Sequence, residues 1–309
     1  MPEKKPIVVV GSINMDLVAT APHIPAAGET ILGTDFQMHP GGKGANQAVA
    51  AARLGYPVQM IGQLGNDGMG QQLREYLSKQ GVDTAAIGTT QGSSGVALIT
   101  VSAKGENSIV VTPGSNSQVT PAVLDQNIDR IRNAGIVLAQ LEIPLETVLH
   151  LAKLCADANV PFILDPAPAQ ELPASLYSQI TWFTPNETEA AFYLGHSLKE
   201  GAYDEAAQEL IKKGIKNVIL KLGEKGSYFA QSSGSEAQIK ARTVHAVDST
   251  GAGDAYNGAF AAALMLGQSK LEAAMFASAA AAISVTRHGA QESMATPAEV
   301  EQMLDGTWK

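Results

Sequence analysis

The chain has 309 residues, of which 45% are hydrophobic and 17% are charged, so it can bury a large core in one α/β domain. Its net charge of −9 disfavours a broad basic face for nucleic acid, because phosphate binding relies on clustered Lys and Arg. Without a stretch of about 18 uninterrupted apolar residues or a signal-like start, we expect no membrane association. Cys155 is the single cysteine, which permits no intramolecular disulfide and favours a cytoplasmic protein.

Apolar runs alternate with helical stretches along most of the chain. Residues 7–10 form a β-branched run that ends at Gly11, as expected of a central strand buried on both faces. Residues 43–54 are rich in helix formers and follow a glycine pair, which predicts a helix opening on a glycine loop. Further strands are predicted at 58–61, 136–141, 162–164, 182–183 and 218–222, and further helices at about 68–79, at about 145–158 and, as an Ala-rich pair, at 251–287. This alternation predicts a mostly parallel central sheet flanked by helices in three layers.

Two segments, residues 14–39 and 93–112, interrupt this alternation. Both have alternating strand patterns with turns, and the second predicts a hairpin across Lys104 and Gly105. We expect them to project as a small β-sheet lid from a single domain spanning residues 1–309. Exposed lid edges could be covered by a partner subunit, although two plain surface hairpins remain an alternative.

The strongest local signal is VDSTGAGD, residues 247–254, followed by a helix of small residues. Glycines at a helix N-terminus let backbone N–H groups converge on phosphate oxygens, which predicts an anion hole. The motif has neither the Lys-Ser/Thr of a Walker loop nor the spacing of a dinucleotide fingerprint. Asp254 could cap the helix or could face a substrate hydroxyl, and the helix start alone leaves both interpretations open.

Seven segments occur in an order that resembles the ribokinase-like sugar kinase family. The two longest are PGGKGANQAVAAARLG and DSTGAGDAYNGAF, and the others are GSINMD, LEIP, DPAPA, TPNETE and RHGAQES. The likeness spans essentially the whole chain. It implies a Rossmann-like three-layer fold with a β-sheet lid and an ATP-dependent kinase that phosphorylates D-ribose at O5. A kinase for deoxyribose, fructose or a nucleoside, or a non-catalytic sugar sensor of the same fold, remains an alternative.

The resemblance assigns roles to individual residues of this sequence. It implies that Asp254 is the catalytic base and that the amides of Gly251, Ala252 and Gly253 stabilise the transferring phosphoryl group. The implied sugar-binding residues are Asn14, Asp16, Gly41, Gly42, Lys43, Asn46, Glu142 and Asp254. Short amides and carboxylates suit the many hydroxyls of a sugar. Taken singly, Asn14 and Asp16 could instead form turns, Asn46 and Gln47 could lie on a solvated helix face, and Glu142 could cap a helix.

The resemblance also implies the sites for the nucleotide and for two metal ions. Implied ATP contacts are Asn186, Lys221, Leu222, Gly223, Glu224, Lys225, Gly226, Gly253, Asp254 and Ser278. At Ser278 several relatives carry a larger polar residue, so the sequence departs from the family there. Asn186 and Glu189 resemble the motif that helps to place Mg²⁺ and its waters, although they could equally be a well-capped helix start. A monovalent cation, usually K⁺, is implied beside Asp248, Thr250, Ser284, Arg287, Gly289 and Ser293, with backbone carbonyls supplying several ligands.

Other candidate chemistry is weak. The six histidines have no spacing with one another or with Cys155 that suggests a transition-metal site, and Cys155 itself has the pattern of a helical core position. An NAD-dependent oxidoreductase is a poorer alternative, because the first strand ends in GSINMD and lacks the dinucleotide-binding fingerprint. We also expect the lid to close over the sugar, with Gly11, Gly41 and Gly42 as hinge candidates, and a homodimer to form through the lid.

Overall fold

The protein is described by a computed structural model of residues 4–308. The strands are β1 (Ile7–Val10), β2 (Asn14–Ala21), β3 (Asp35–Gly41), β4 (Val58–Gly65), β5 (Val82–Asp83), β6 (Ile87–Thr90), β7 (Gly95–Ser102), β8 (Asn107–Thr112), β9 (Ile136–Ala139), β10 (Phe162–Leu164), β11 (Trp182–Phe183), β12 (Asn217–Lys221), β13 (Ser227–Gln231) and β14 (Glu236–Ile239). The α-helices are α1 (Lys43–Arg53), α2 (Gly68–Lys79), α3 (Pro121–Gln126), α4 (Ile128–Arg132), α5 (Leu145–Ala158), α6 (Ala174–Tyr177), α7 (Glu187–Leu194), α8 (Tyr203–Lys212), α9 (Ala252–Met265), α10 (Lys270–Ser284) and α11 (Pro297–Asp305).

The central sheet has the order β14-β13-β12-β11-β10-β9-β1-β4-β5, with β6 added to the second half of β4. All its pairings are parallel except those of β12 with β13 and of β13 with β14. The predicted mostly parallel sheet is therefore confirmed, and the antiparallel edge was missed. The strand predicted at 136–141 ends at Ala139.

Two apolar layers lie on opposite faces of this sheet. Alternate residues of β1 divide between them, with Ile7 and Val9 in one layer and Val8 and Val10 in the other. The first layer holds the Ala-rich helices α9 and α10 together with α1, and the second holds α5 and α8. Because small residues permit close approach, α1 and α9 pack tightly: a Cβ on Gly258 would lie 2.5 Å from the carbonyl oxygen of Gln47.

A separate four-stranded sheet, which we call the lid, has the order β3-β2-β7-β8. β2 pairs antiparallel with β3 and parallel with β7, and the predicted hairpin joins β7 to β8 through Gly105. Because these strands form one sheet, the alternative of two independent surface hairpins is wrong. One face of the lid carries an exposed apolar surface that includes Phe36, Met38, Leu98 and Val110.

No helix within residues 4–308 is both long and apolar enough to cross a membrane.

Candidate active site

The glycine turn before α9 lies at the carboxyl ends of the central strands and leads directly into the first turn of that helix. Gly251 has φ +75° and precedes Ala252, the first residue of α9, so the turn uses a left-handed conformation that favours glycine. Asp254 follows within the first helical turn and is 5% exposed. Its side chain does not cap the helix, and the capping interpretation is therefore wrong.

Instead, the Asp254 carboxylate accepts hydrogen bonds from two amides of α1. Asn46 Nδ2 donates to Oδ2 at 2.9 Å, and Gln47 Nε2 donates to Oδ1 at 3.0 Å. Asn46 is 6% exposed and Gln47 is fully buried, so the interpretation that both lie on a solvated helix face is wrong. These contacts join the two glycine-containing motifs, which are separated by more than 200 residues in the sequence.

Burial and nearby charges act in opposite directions on Asp254. The pKa of this carboxyl is raised above its ordinary value, mainly by burial and further by Asp165, while Lys43 and the hydrogen bonds from the two amides oppose the rise. Burial alone would lower the pKa of Lys43, but the surrounding carboxylates raise it above its ordinary value. Among these carboxylates, Asp254 has the largest effect. The site therefore holds a buried carboxylate beside a lysine that stays charged.

The predicted sugar-binding residues gather where the lid meets the main sheet. Gly41 pairs with Asn14 in the lid register, and a Cβ on Gly41 would lie 2.3 Å from Asp16 Oδ2. Gly42, at φ +89°, leads into α1. Glu142 Oε2 accepts from the backbone N–H of Lys43 at 3.1 Å and does not cap a helix there.

Two buried side chains that the sequence analysis missed orient this group. Ser12 Oγ donates to Glu142 Oε2 at 2.5 Å. Asn116 Nδ2 donates to Asn14 Oδ1 at 2.6 Å, while Asn116 Oδ1 accepts from the Ile13 N–H at 2.9 Å. Asn14 therefore has its Nδ2 available as a donor to a ligand. No local pattern could have identified Asn116, because it follows the lid hairpin about 100 residues after its partner.

Asp16 has an unusual protonation equilibrium. Burial is the main cause that raises its pKa to about 7, and Glu142, Glu292 and Asp254 raise it further while His39 lowers it. His39 lies directly opposite Asp16 on β3. A ligand hydroxyl could therefore meet Asp16 as either an acceptor or a donor near neutral pH.

A cavity of about 680 Å³ lies on the other side of the glycine turn. Its lining includes the predicted residues Lys221, Gly223, Glu224, Lys225, Gly226, Gly253 and Ser278. The segment 241–244 and Val285 also line it and were missed by the sequence analysis. Leu222 differs from the prediction, since its side chain is 1% exposed and packs in the core. Asp254 and this cavity therefore lie on either side of the N-terminal end of α9.

Asn186 and Glu189 form a reciprocal capping box at the start of α7. Glu189 N donates to Asn186 Oδ1 at 2.8 Å, and Asn186 N donates to Glu189 Oε2 at 2.8 Å. Burial raises the pKa of Glu189, while Lys221 lowers it. Asn186 also forms a β-bridge with Lys221, so this capped helix start lies beside the cavity wall. Among residues 4–308 no cluster of three or more His, Cys, Asp or Glu side chains is arranged to hold a metal ion by itself.

The predicted cation residues lie on two segments that meet behind the glycine turn. Asp248 Oδ1 accepts from Thr250 Oγ1 at 2.6 Å, and Asp248 Oδ2 accepts from Gly289 N at 3.0 Å. Ser284 and Ser293 donate to carbonyl groups one turn earlier, at Ala281 and Ala290 respectively. Arg287 turns its guanidinium to Glu299, so only its backbone remains available for a cation. Asp248, Thr250 and Gly289 are thus brought together.

Comparison with known proteins relates this arrangement to one family. The sequence pattern of the pfkB family carbohydrate kinases matches residues 4–297. The chain is 42% identical to the ribokinase of Haemophilus influenzae, over 98% of this chain and 99% of the relative, and 37% identical to the deoxyribokinase of Salmonella typhi, over 93% and 94%. The structure of Arabidopsis thaliana ribokinase complexed with ribose and ATP superposes with a TM-score of 0.92 at 36% identity, covering 98% of this chain and 99% of that one. This chain therefore belongs to the pfkB family of carbohydrate kinases.

Proposed function

We propose that this protein phosphorylates D-ribose at O5 with ATP, giving D-ribose 5-phosphate and ADP. The observation that carries the proposal is the place of Asp254, a buried carboxylate between the group of Asn14, Asp16 and Glu142 on one side and the 680 Å³ cavity on the other. The similarity to a protein named ribokinase over nearly the full length of both chains supports ribose as the sugar.

Asp254 acts as the general base in this proposal. Its carboxylate accepts the proton of the sugar O5 hydroxyl as that oxygen attacks the terminal phosphorus and the bond to the bridging oxygen of ADP breaks. The backbone N–H groups of Gly251 and Gly253 would bind the transferring phosphoryl group at the N-terminal end of α9, where the helix dipole favours negative charge. The Ala252 N–H, also predicted for this role, donates instead to the Ser249 carbonyl at 3.2 Å within the turn. Lys43, whose pKa is raised by the surrounding carboxylates, supplies a permanent positive charge beside the base.

The sugar is held by the residues at the boundary of the lid. Asn14 donates through the Nδ2 that Asn116 leaves available, while Asp16 and Glu142 accept from hydroxyls. Asn46 completes the group from the first turn of α1. Closure of the lid over the sugar would exclude water as a competing acceptor. Small-angle scattering with and without ribose tests this closure, and an unchanged profile counts against it.

The cavity holds the nucleotide, with Lys221, the 223–226 turn, Gly253 and Ser278 in its wall. Carboxylate oxygens are the ligands that Mg²⁺ prefers, and the buried carboxylate of Glu189 beside Lys221 fits such a role through bound water. When bound, Mg²⁺ would neutralise charge on the ATP phosphates. Asn186 holds the Glu189 carboxylate in position through the capping box.

A monovalent cation, K⁺ by preference, would bind beside the glycine turn. The Asp248 carboxylate and nearby carbonyl groups are hard oxygen ligands, which suit such an ion. Asp248 accepts from the N–H of Thr250 and of Gly289, and its pKa lies below its ordinary value, since these hydrogen bonds outweigh burial. Turnover in K⁺ should exceed turnover in tetramethylammonium at equal ionic strength.

2-Deoxyribose is the second candidate substrate, because a deoxyribokinase matches 93% of the chain. A site built to bond the 2-hydroxyl rejects the analogue that lacks it, since its polar groups would stay unpaired. Comparing kcat/KM for the two sugars separates these candidates, and a higher value for 2-deoxyribose would overturn ribose as the substrate.

The central test replaces Asp254 by Asn in the full chain. We expect ribose-dependent ADP formation to fall by about 10² to 10⁴ while ATP affinity stays within about twofold. Asp305→Asn, at the exposed end of α11, is the matched control and should retain full turnover. Near wild-type turnover in Asp254→Asn would contradict the proposed base.

The single domain is proposed to carry the lid on segments 14–39 and 93–112, and two copies are proposed to pair through the exposed apolar lid surface of Phe36, Met38, Leu98 and Val110. An interface of this kind would bury side chains that otherwise face water. Val110→Glu should convert the dimer to a monomer in light scattering.

We place the protein in the cytoplasm, where its one free thiol, Cys155, would remain reduced.

A further inference from the structure

Gln47 lies on α1 between two buried carboxylates. Its Nε2 donates to Asp254 Oδ1 at 3.0 Å and to Asp165 Oδ2 at 2.9 Å. Asp165 is 2% exposed and its other oxygen accepts from Lys221 Nζ at 2.8 Å. One amide group therefore connects the carboxylate beside the sugar residues with the ion pair beside the nucleotide cavity.

Gln140, which directly follows β9, fixes the orientation of this amide. An ionised carboxylate can only accept hydrogen bonds, so the NH₂ group of Gln47 must face both acids. Its Oε1 then faces Gln140 Nε2, which donates to it at 2.8 Å. Both glutamines are fully buried. Space for Gln140 depends on Gly11, where a Cβ would lie 2.1 Å from Gln140 Oε1. Gly11 therefore has a packing role beside Gln140, and its role as a hinge stays a prediction.

The charges around Asp254 show why such an amide matters. Lys43 faces it from α1 and Asp165 from the end of β10, and Asp16 lies close enough on the lid to sense its charge. Lys221 compensates Asp165, and Glu189 also adjoins that pair. Two buried carboxylates that share a site tend to share one proton, and an amide donor to both opposes this.

We propose that Gln47, oriented by Gln140, is a positioning residue for the carboxylate of Asp254. Its NH₂ group favours the ionised form of that carboxylate and fixes the direction of its free lone pairs. It also separates Asp254 from the ion pair that Asp165 makes with Lys221. This inference rests on the proposed role of Asp254 as base, and it assigns a function to Gln47 that is distinct from binding sugar or nucleotide.

The first test is Gln47→Leu, which keeps similar volume and removes both polar groups. We expect kcat to fall about tenfold to a hundredfold, the effect of losing a hydrogen bond to a charged group, while KM for ribose and ATP stays within about threefold. The hydrogen bond from Gln47 lowers the pKa of Asp254, so its loss raises that pKa. The acid limb of the kcat profile should therefore move to higher pH.

Gln140→Leu is the second variant and leaves Gln47 in place. Loss of its donor frees the Gln47 amide to rotate, so we expect a smaller fall in kcat with the pH shift in the same direction. Gln59→Leu is the matched control. Gln59 lies at the start of β4 in the central sheet, to which β9 also belongs, and its buried Oε1 has no partner among the described residues. That control should keep both kcat and the pH profile.

Wild-type turnover of ribose is measured first, so that failure of the proposed function is recognised separately. Given an active wild type, unchanged kcat and pH profile in both Gln47→Leu and Gln140→Leu would overturn the inference. A fall in kcat without a pH shift, accompanied by an equal fall in Gln59→Leu, would likewise overturn it by showing a general packing effect. Loss of kcat with the acid limb displaced only at positions 47 and 140 supports it.

Discussion

Asp16→Asn should stabilise the protein while impairing its activity. Asp16 lies on β2 of the lid, where burial is the main cause that raises its pKa from 3.8 to about 7. Glu142, Glu292 and Asp254 add to this effect, and His39 opposes it. Asparagine has the same shape and no charge, so the substitution removes the cost of ionising this partly buried carboxyl.

The magnitude follows from the pKa difference. At 1.36 kcal/mol per pH unit, the interval from 3.8 to about 7 corresponds to about 4 kcal/mol above pH 7, which is an upper bound because the lid can relax. We expect a gain of about 1 to 3 kcal/mol at pH 8. In the folded chain Asp16 holds its proton to higher pH than in the unfolded chain. The stabilisation that comes from this tighter proton binding is therefore present in full below pH 3.8 and is lost as the pH rises through about 7.

Urea unfolding of the ligand-free wild type and variant between pH 4 and pH 9 measures this difference. The advantage of Asp16→Asn should grow from pH 4 to pH 7 and then level off, while kcat/KM for ribose falls because a sugar hydroxyl loses its carboxylate partner. Asp35→Asn, exposed on neighbouring β3, is the control and should show a small difference that does not vary with pH. A variant that is less stable than wild type at pH 8, or a difference that is flat with pH, would refute the reasoning.

Three further predictions concern packing, reactivity and the sugar site. Gly258→Ala should destabilise the chain by about 1 to 3 kcal/mol in urea unfolding, because its Cβ would lie 2.5 Å from the Gln47 carbonyl oxygen; wild-type stability would show that α1 and α9 can separate freely. Burial raises the pKa of Cys155 to about 12, so an aromatic disulfide reagent should react with it only after unfolding, and rapid labelling of the native protein would contradict this. Asn116→Asp should raise KM for ribose about tenfold with KM for ATP unchanged, since a carboxylate cannot donate to Asn14 Oδ1; equal changes in both constants would indicate a global effect.

The sequence predicted much of the fold because its signals are local. The β-branched run of β1, the helix formers after the glycine pair and the small residues of α9 each specify an element through neighbours within a few positions. The parallel sheet then follows from the alternation of such elements. The antiparallel strands β13 and β14 were missed because they follow β12 without an intervening α-helix and so fall outside the strand–helix alternation that guided the prediction.

The residues proposed for the site were also named from the sequence, because the segments that carry them form compact motifs. Their surroundings were not, since these depend on contacts between distant parts of the chain. Gln47 and Asn46 were assigned possible solvated positions, yet they meet Asp254 across more than 200 residues.

The amino-acid sequence by itself determined the elements, the glycine turn and the residue types that can bind a sugar and a phosphate. Only the tertiary structure decided that Asp254 faces the amides of α1 and not its own helix N-terminus. It also decided the protonation of Asp16 and the partners of Gln140 and Asn116. Charge, burial and hydrogen bonding act through space, and the groups that set them are brought together only when the sheet, its helices and the lid have assembled.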